Sequence, residues 1–442
     1  MSKMKYSGVE WIGDIPLDWD VQKIKFNANI FGRIGFRGYT QDDLVDEENG
    51  VITLGPGNIT NGKLNLTNCT YLSLEKYEES PEIKVYNGDI LFVKTASVGK
   101  TALVENIDVP LTINPQFVVF KDIKINNYFL SYILKSSVIQ ERLILDKMGG
   151  VIKTITQEHL NNYKIPIPNI KEQRLIVNFL DEKISNLDNI LLDLNREIEI
   201  LNNYKRGLIT EKVTENNKYT IDVQNGKINL NFENKSKIVR IKNVLNGITD
   251  GTHGTFDRVY NGEYLLSAKN VFEVGLKIGE NESMISYKDY KDIIKCGYPK
   301  KNDLLMCCVG TVGRTMVYKE NKPFAFQRSV LFMRVDNNKI LPEFLNYSMN
   351  SNYMLEQEKV LVNKSAQDGI YQGTVKNMYL YLPALNKQKE IVDYLDKKCE
   401  QIDKIIEEKQ KQIQKIEEYK KSVIYEYVTG KKRVEGAEEL YG

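Results

Sequence analysis

Hydrophobic positions recur every seven residues in two long stretches of the chain. In the first, Leu180, Leu187, Leu194, Leu201 and Leu208 lie seven apart, with Val177, Ile184, Leu191 and Ile198 at the intermediate position. In the second, Leu395, Ile402, Ile416 and Val423 alternate with Val392, Cys399, Ile406 and Ile413, and Lys409 interrupts the stripe once. A seam kept over several heptads predicts long helices paired through their apolar edges. Ahead of each seam the pattern changes. Val51–Leu54, Ile90–Val93, Phe117–Phe120, Leu304–Val309 and Val330–Val335 are short runs of β-branched, aromatic and aliphatic residues punctuated by Gly, Asn and Asp, which predicts strands. Helical patterns follow over Tyr128–Met148 and Glu343–Val360.

The chain is also similar to itself. GDILFVKTASVGKTALV (Gly88 to Val104) faces NDLLMCCVGTVGRTMVY (Asn302 to Tyr318) at an offset of 214, matching Asp89, Leu91, Val98, Gly99 and Thr101 with Asp303, Leu305, Val312, Gly313 and Thr315. At an offset of 215, Phe129, Leu130, Tyr132 and Ser136 recur as Phe344, Leu345, Tyr347 and Ser351, and the stretch from Pro168 to Thr214 aligns with that from Pro383 to Thr429. A near-constant offset over separated stretches marks an internal duplication. The expected fold class is α+β: two β-rich mixed α/β heads (1–164 and 237–380), each followed by a helical spacer (165–214 and 381–433). A polar linker at 215–236 and a tail at 434–442 complete the division. Copies joined head to tail allow the two helices to lie antiparallel as a two-helix coiled coil. About forty residues at ~1.5 Å each make a rod of about 60 Å. Two similar heads on such a spacer suit two-point binding. A coiled coil used only for oligomerisation is the plainer alternative.

Composition narrows the classes further. The 442 residues carry 61 Lys+Arg against 59 Asp+Glu, and 42% are hydrophobic, the balance of a folded chain of several domains. No apolar run approaches the ~18–20 residues of a membrane span. The odd set of Cys69, Cys296, Cys307, Cys308 and Cys399 has no Cys-x-x-Cys spacing, which points to buried thiols in a reducing cytoplasm. His159 and His253 are the only histidines and leave little room for zinc or histidine-based catalysis. The near-neutral total leaves nucleic acid open, because the distribution of charge decides.

The candidate chemistry lies in polar, glycine-bearing loops: Gly32 to Tyr39, Gly55-Pro56-Gly57-Asn58, Thr249 to His253, and Ser267 to Asn270. Their Arg, Lys, Asn, Thr and His side chains are types that reach base edges or phosphates. Lys94, Lys100, Lys269 and Arg314 are the candidate backbone contacts; Arg37, Asn58, Thr252, His253 and Asn270 are the candidate base readers. Solvated glycine turns are the plain alternative for each. Enzyme signals fail. Gly99-Lys100-Thr101 resembles the end of a phosphate loop, but Lys94 stands where that loop needs glycine and Arg314 replaces the lysine in the duplicate, so Gly99 and Gly313 read as turns after a strand. Asn114-Pro115-Gln116-Phe117 lacks the second proline of the amino-methyltransferase element, and no clustered acid set of a magnesium nuclease is present.

Several stretches taken together resemble the specificity (S) subunits of type I restriction–modification systems. They are Ser7 to Pro16 with Trp19, Gly55-Pro56-Gly57-Asn58-Ile59, Gly88-Asp89-Ile90-Leu91 and Asp250-Gly251-Thr252-His253. Ile167-Pro168 with Glu172-Gln173, and Leu382-Pro383 with Lys387-Gln388, precede the long helices. The likeness covers the chain up to Arg433. Lys387 departs from the usual acid, and the N-terminal Trp segment has no sequence counterpart in the second copy. The resemblance implies two target recognition domains, each reading one half of a split double-stranded DNA sequence, and a spacer that fixes the gap. It further implies two docked modification (methyltransferase) subunits, additional restriction subunits, and no active site, metal or membrane for this chain. S-adenosylmethionine, ATP and magnesium are expected in the partners. Diverged heads on similar helices predict an asymmetric target. The competing readings are a coiled-coil protein-binding adaptor without DNA specificity and a catalytic methyltransferase or nuclease.

Overall fold

The computed structural model describes residues 3–33, 35, 38–148, 154–224, 227–233, 237–362, 369–437 and 440. The chain forms two units, Met1–Asp193 with Lys411–Gly442, and Leu194–Gln410. This division cuts across the duplication. Each unit takes one head, half of the first long helix (Ile170–Val213) and half of the second (Leu385–Val428).

In the first unit a four-stranded antiparallel sheet runs in the order Thr101–Leu103, Ile90–Val93, Phe117–Lys121, Asn29–Phe31. Ile90–Val93 is buried on both faces, which explains its unbroken apolar run. Alternate residues serve different cores. Ile90, Phe92, Val118 and Phe120 pack with Phe129, Leu130 and Ile133 of the helix Asn127–Lys135, while Leu91, Val93, Phe117 and Val119 pack with Leu54, Leu111 and Ile113 of a second sheet. In that second sheet Gly50–Leu54 lies between Thr70–Ser73 and the parallel strand Leu111–Ile113.

The second unit repeats this frame. Its sheet runs Thr315–Val317, Leu304–Cys307, Val330–Val335, Leu245–Asp250, and Glu263–Leu266 pairs with Met284–Ile285 and, in parallel, with Ala325–Phe326. Leu304, Met306 and Met333 enter one core; Leu305, Cys307 and Phe332 enter the other. Each head is closed by a strand pair where the chain enters and leaves it, Asp20–Lys23 with Lys164–Ile167 and Ile238–Arg240 with Tyr379–Tyr381. The expected α+β class and the duplication hold.

Three expectations change. Each predicted head helix is two helices. Asn127–Lys135 stops at Ser136, whose hydroxyl turns back to the Ile133 carbonyl, before Ser137–Met148 begins. Pro342–Met349 likewise stops before Asn352–Val362, with the Ser351 hydroxyl bonded to the Ser348 carbonyl. An apolar period that continues through the break conceals it. The expected polar linker contains a hairpin, Tyr219–Gln224 with Lys227–Phe232. Alternation within KINLNF brings Leu230 and Phe232 into the core, where the Phe232 ring lies 5.6 Å from Tyr353 and 5.2 Å from Tyr381. This hairpin precedes Ile238–Arg240 just as the N-terminal hairpin, Met4–Tyr6 with Asp14–Pro16, precedes Asp20–Lys23. The N-terminal segment therefore has a structural counterpart that its sequence hides. Finally, Cys307, Cys308 and Cys399 are buried, but Cys69 is half-buried and Cys296 exposed.

The seam residues turn inward within each unit. Val177, Leu180, Leu187 and Val423 are buried in the first, with Ile184, Leu191, Ile413 and Ile416 half-buried; Leu194, Leu208, Val392, Leu395, Cys399, Ile402 and Ile406 are buried in the second, with Ile198 and Leu201 half-buried. The helix halves pair antiparallel. In the first unit Phe179 meets Tyr427 at 4.3 Å and Asp188 meets Lys420; in the second Lys205 meets Asp403 at 2.7 Å. Lys409, which breaks the stripe, pairs with Glu197.

A repeated junction fixes each head to its helix. The Gln173 amide donates to the Pro168 carbonyl and accepts the Asn126 N–H, both at 2.8 Å. Gln388 does the same with Pro383 at 2.8 Å and Leu341 at 2.9 Å. Tyr132 donates to Asp181, and Tyr347 to Asp396, each at 2.6 Å. Glu172, fully buried, receives Trp19 Nε1 at 2.9 Å and a fork from Arg433 at 2.9 and 3.0 Å. At the matching position of the second copy stands Lys387, which pairs with Glu390 at 2.8 Å. Truncating one member of a buried charge pair leaves the other uncompensated. Arg433→Ala is therefore expected to cost about 3 kcal/mol in denaturant unfolding of the first unit, and Arg433→Lys to recover part of it.

Candidate nucleic-acid interface

Each head gathers its loops at the C-terminal ends of its strands. In the first unit the chain leaves Gly50–Leu54 into Gly55-Pro56-Gly57-Asn58, and leaves Leu111–Ile113 into Asn114-Pro115-Gln116. Backbone bonds tie these loops together: Asn114 N–H to Leu54 O at 3.0 Å, Lys94 N–H to Gln116 O at 2.8 Å, and Ile155 N–H to Lys94 O at 2.9 Å. The second unit uses the same scheme. Gln327 N–H meets Leu266 O at 2.8 Å, Cys308 N–H meets Ser329 O at 2.9 Å, and Ile370 N–H meets Cys308 O at 3.0 Å. Thr252 N–H bonds Phe326 O at 2.8 Å and Arg328 N–H bonds Thr252 O at 3.0 Å, which joins the Asp250–His253 loop to the same rim. Gly99 and Gly313, with φ of 98° and 86°, turn the chain beside it, as expected of their matched positions.

Side chains differ where backbones agree. Lys94 and Cys308 hold equivalent places. The Lys94 ammonium is half-buried, and burial holds its pKa below the ordinary lysine value. The Cys308 thiol is buried and pushed up to about 12, chiefly by desolvation. One frame thus presents a cation in the first head and an inert thiol in the second.

The remaining expected site residues fall into three groups. Asn58 and Asn270 are corrected from base readers to loop staples. Asn58 is 6% exposed; its Oδ1 accepts the Gly55 N–H at 2.9 Å and its Nδ2 donates to the carbonyls of Asn65 and Asn68 at 3.0 and 3.2 Å. Asn270, 2% exposed, accepts the Ser267 N–H at 2.9 Å and donates to Lys277 O at 3.0 Å and to Glu282. Lys269 pairs with Glu282 at 2.9 Å, and Arg314 donates to Val271 O at 2.9 Å with its guanidinium 5.0 Å over Phe272, so both are engaged within the head. Lys100 is exposed beside the Gly99 turn. Thr252 and His253 line a cavity of about 410 Å³ with Asp250, Phe256 and Cys296. Arg37 lies outside the described residues.

Sequence reasoning passed over Arg328. It is exposed at the tip of the Gln327–Ser329 turn, between the loops that carry Thr252 and Asn270. The signal was its counterpart, Asn114-Pro115-Gln116, set aside as a failed methyltransferase element. That segment is a turn held by Asn114, whose Oδ1 accepts the Gln116 N–H at 2.9 Å.

Among the described residues no group of three or more His, Cys, Asp and Glu is placed to hold a metal, and no helix is long and apolar enough to cross a membrane. A duplicated frame with unlike loops on like strand ends defines a protein built for recognition at two different sites. The model of the type I restriction modification DNA specificity domain matches residues 16–202 and 195–418, and the chain belongs to that family. It is 22% identical over 412 residues to the type I restriction enzyme StySPI specificity subunit of Salmonella potsdam, covering 89% of this chain and 84% of that protein. It is 28% identical over 209 residues to the MjaVIII specificity subunit of Methanocaldococcus jannaschii, where the match spans 46% of this chain and 47% of that one. Its fold is similar to that of a chain from a solved structure addressing complex assembly and conformational transition of the type I R-M system, with a TM-score of 0.62, 18% identity, and coverage of 94% of this chain and 99% of that one.

Because Asn58 and Asn270 spend their polar atoms inside the loops, Asn58→Ala and Asn270→Ala are each expected to lower stability by about 2 kcal/mol. Equilibrium unfolding measures that loss. A changed DNA sequence preference in a variant of undiminished stability would contradict the assignment.

Proposed function

We propose that this chain is the sequence-reading, non-catalytic subunit of a cytoplasmic type I restriction–modification complex. Each head presents its strand-end loops to one half of a split, asymmetric target in double-stranded DNA. The paired long helices set the gap between the halves and dock two modification subunits, and restriction subunits join that complex. Adenine methylation and DNA cleavage, with S-adenosylmethionine, ATP and magnesium, belong to those partners. Family membership supports the reading, and one observation carries the asymmetry: equivalent backbone positions bear Lys94 in one head and Cys308 in the other. Lys94, Lys100 and Arg328 are the phosphate contacts of this proposal, and Thr252 and His253 its base readers. Lys269 and Arg314 act through the loops they brace.

Counterion release ties affinity to salt, with a slope of about −0.9 per phosphate neutralised. Binding of duplex DNA by the assembled complex is expected to fall steeply between low and physiological salt. Lys100→Ala and Arg328→Ala are each expected to weaken it for all sequences and to shallow the slope by about one. Salt-independent binding, or no DNA binding by a complex verified as assembled, favours the protein-binding adaptor instead.

A further inference from the structure

The second head holds its one loop histidine in a way that the first head does not repeat. The backbone around His253 is fixed on both sides. Gly251 N–H bonds Val330 O at 3.1 Å, and a Cβ at Gly251 would lie 2.2 Å from the Phe326 carbonyl oxygen, so only glycine fits. Thr252 is bonded through both its N–H and its carbonyl, and its hydroxyl accepts the Gly254 N–H at 3.2 Å. The imidazole leaves this loop 64% exposed, with Nε2 2.7 Å from Asp250 Oδ2. The other carboxylate oxygen, Oδ1, accepts Gln372 Nε2 at 2.8 Å; Gln372 opens the helix Gln372–Asn377.

We propose that Asp250 and Gln372 are positioning residues that hold His253 in a single tautomer, making it the reader of one base pair in the half-site of the second head. This rests on the DNA-reading function above. An ionised carboxylate only accepts hydrogen bonds, so the neutral imidazole keeps its proton on Nε2 and offers Nδ1 as an acceptor. Gln372 holds the far side of the carboxylate, and the ring plane is set by a partner that is itself pinned. In the major groove an acceptor matches the amino groups of adenine N6 and cytosine N4, whereas guanine presents O6 and N7, both acceptors. No lysine or arginine lines the cavity beside His253; Arg328, whose N–H bonds the Thr252 carbonyl, is the charged side chain of the neighbouring turn. In the first head the strand register sets Gly32 where the second head has Asp250, so that position carries no carboxylate, and the next residue, Arg33, turns inward to the Ile113 carbonyl and the Thr112 hydroxyl at 3.2 and 3.3 Å and is 6% exposed. The device is therefore specific to one half-site.

The test is selection from a randomised duplex DNA library by the complex of this chain with its modification subunits. Wild type, His253→Ala, Asp250→Asn and Gln372→Ala are compared, each with its melting temperature recorded. The expected result is one position in one half-site that prefers adenine or cytosine. That preference should fall about tenfold in His253→Ala and relax at the same position in Asp250→Asn and Gln372→Ala. The other half-site and the gap should stay unchanged. If Asp250→Asn fails to fold, Gln372→Ala carries the positioning claim. Full retention of the position in His253→Ala, or in a folded Gln372→Ala, overturns the proposal while leaving the general function intact. A wild-type complex that selects no motif overturns both.

Discussion

An apolar stripe along a 44-residue helix has to be covered over its whole length, and that requirement organises the rest of this chain. Each fully buried leucine contributes about 1.5–3 kcal/mol, so the seam positions outweigh any single surface ion pair. The covering is shared out between copies. Val423, Ile424 and Val428, near the end of the sequence, enter the same core as Ile12, Trp19 and Leu180. Leu208, Ile209 and Val213, from the end of the first copy, enter the core of Leu395, Cys399 and Tyr353. Neither sequence repeat is thus a folding unit by itself. Each structural unit needs a piece of both copies, and the first is incomplete until nearly the whole chain is available.

On that base the two heads keep a common backbone and differ at its rim. Sheet order, the parallel strand of the second sheet, the glutamine at each helix start and the tyrosine–aspartate pair are held in both. Loop length, charge and hydrogen-bond capacity are not. The shared features are hydrogen-bonded, and the glutamines are buried, where a change carries a desolvation cost. The variable ones are at strand ends, where side chains can be exchanged without disturbing the sheets.

Much of this was legible in the sequence, because periodicity and self-similarity report directly on burial. The seam, the duplication, the strand Ile90–Val93 and the Gly99/Gly313 turns all came from pattern. The breaks at Ser136 and Ser351 did not, since the apolar pattern runs on through an interruption of one or two residues. The hairpin at 219–232 was hidden by its Asn and Lys residues, although Leu230 and Phe232 already alternated at strand spacing. Asn58 and Asn270 looked like readers because a polar residue in a glycine loop serves equally well to bind a ligand or to staple the loop, and only the positions of the Asn65, Asn68 and Lys277 carbonyls decide. Arg328 was missed because its turn had no charged counterpart in the first copy.

The central claim is that two unlike heads on one frame read two unlike half-sites. Its most direct test is to express the chain with its modification subunit in an unmethylated host and map modified adenines across the genome. The account predicts a split motif with unequal halves and a fixed gap that vanishes when this chain is omitted. A continuous or palindromic motif, or one that persists without this chain, would contradict it.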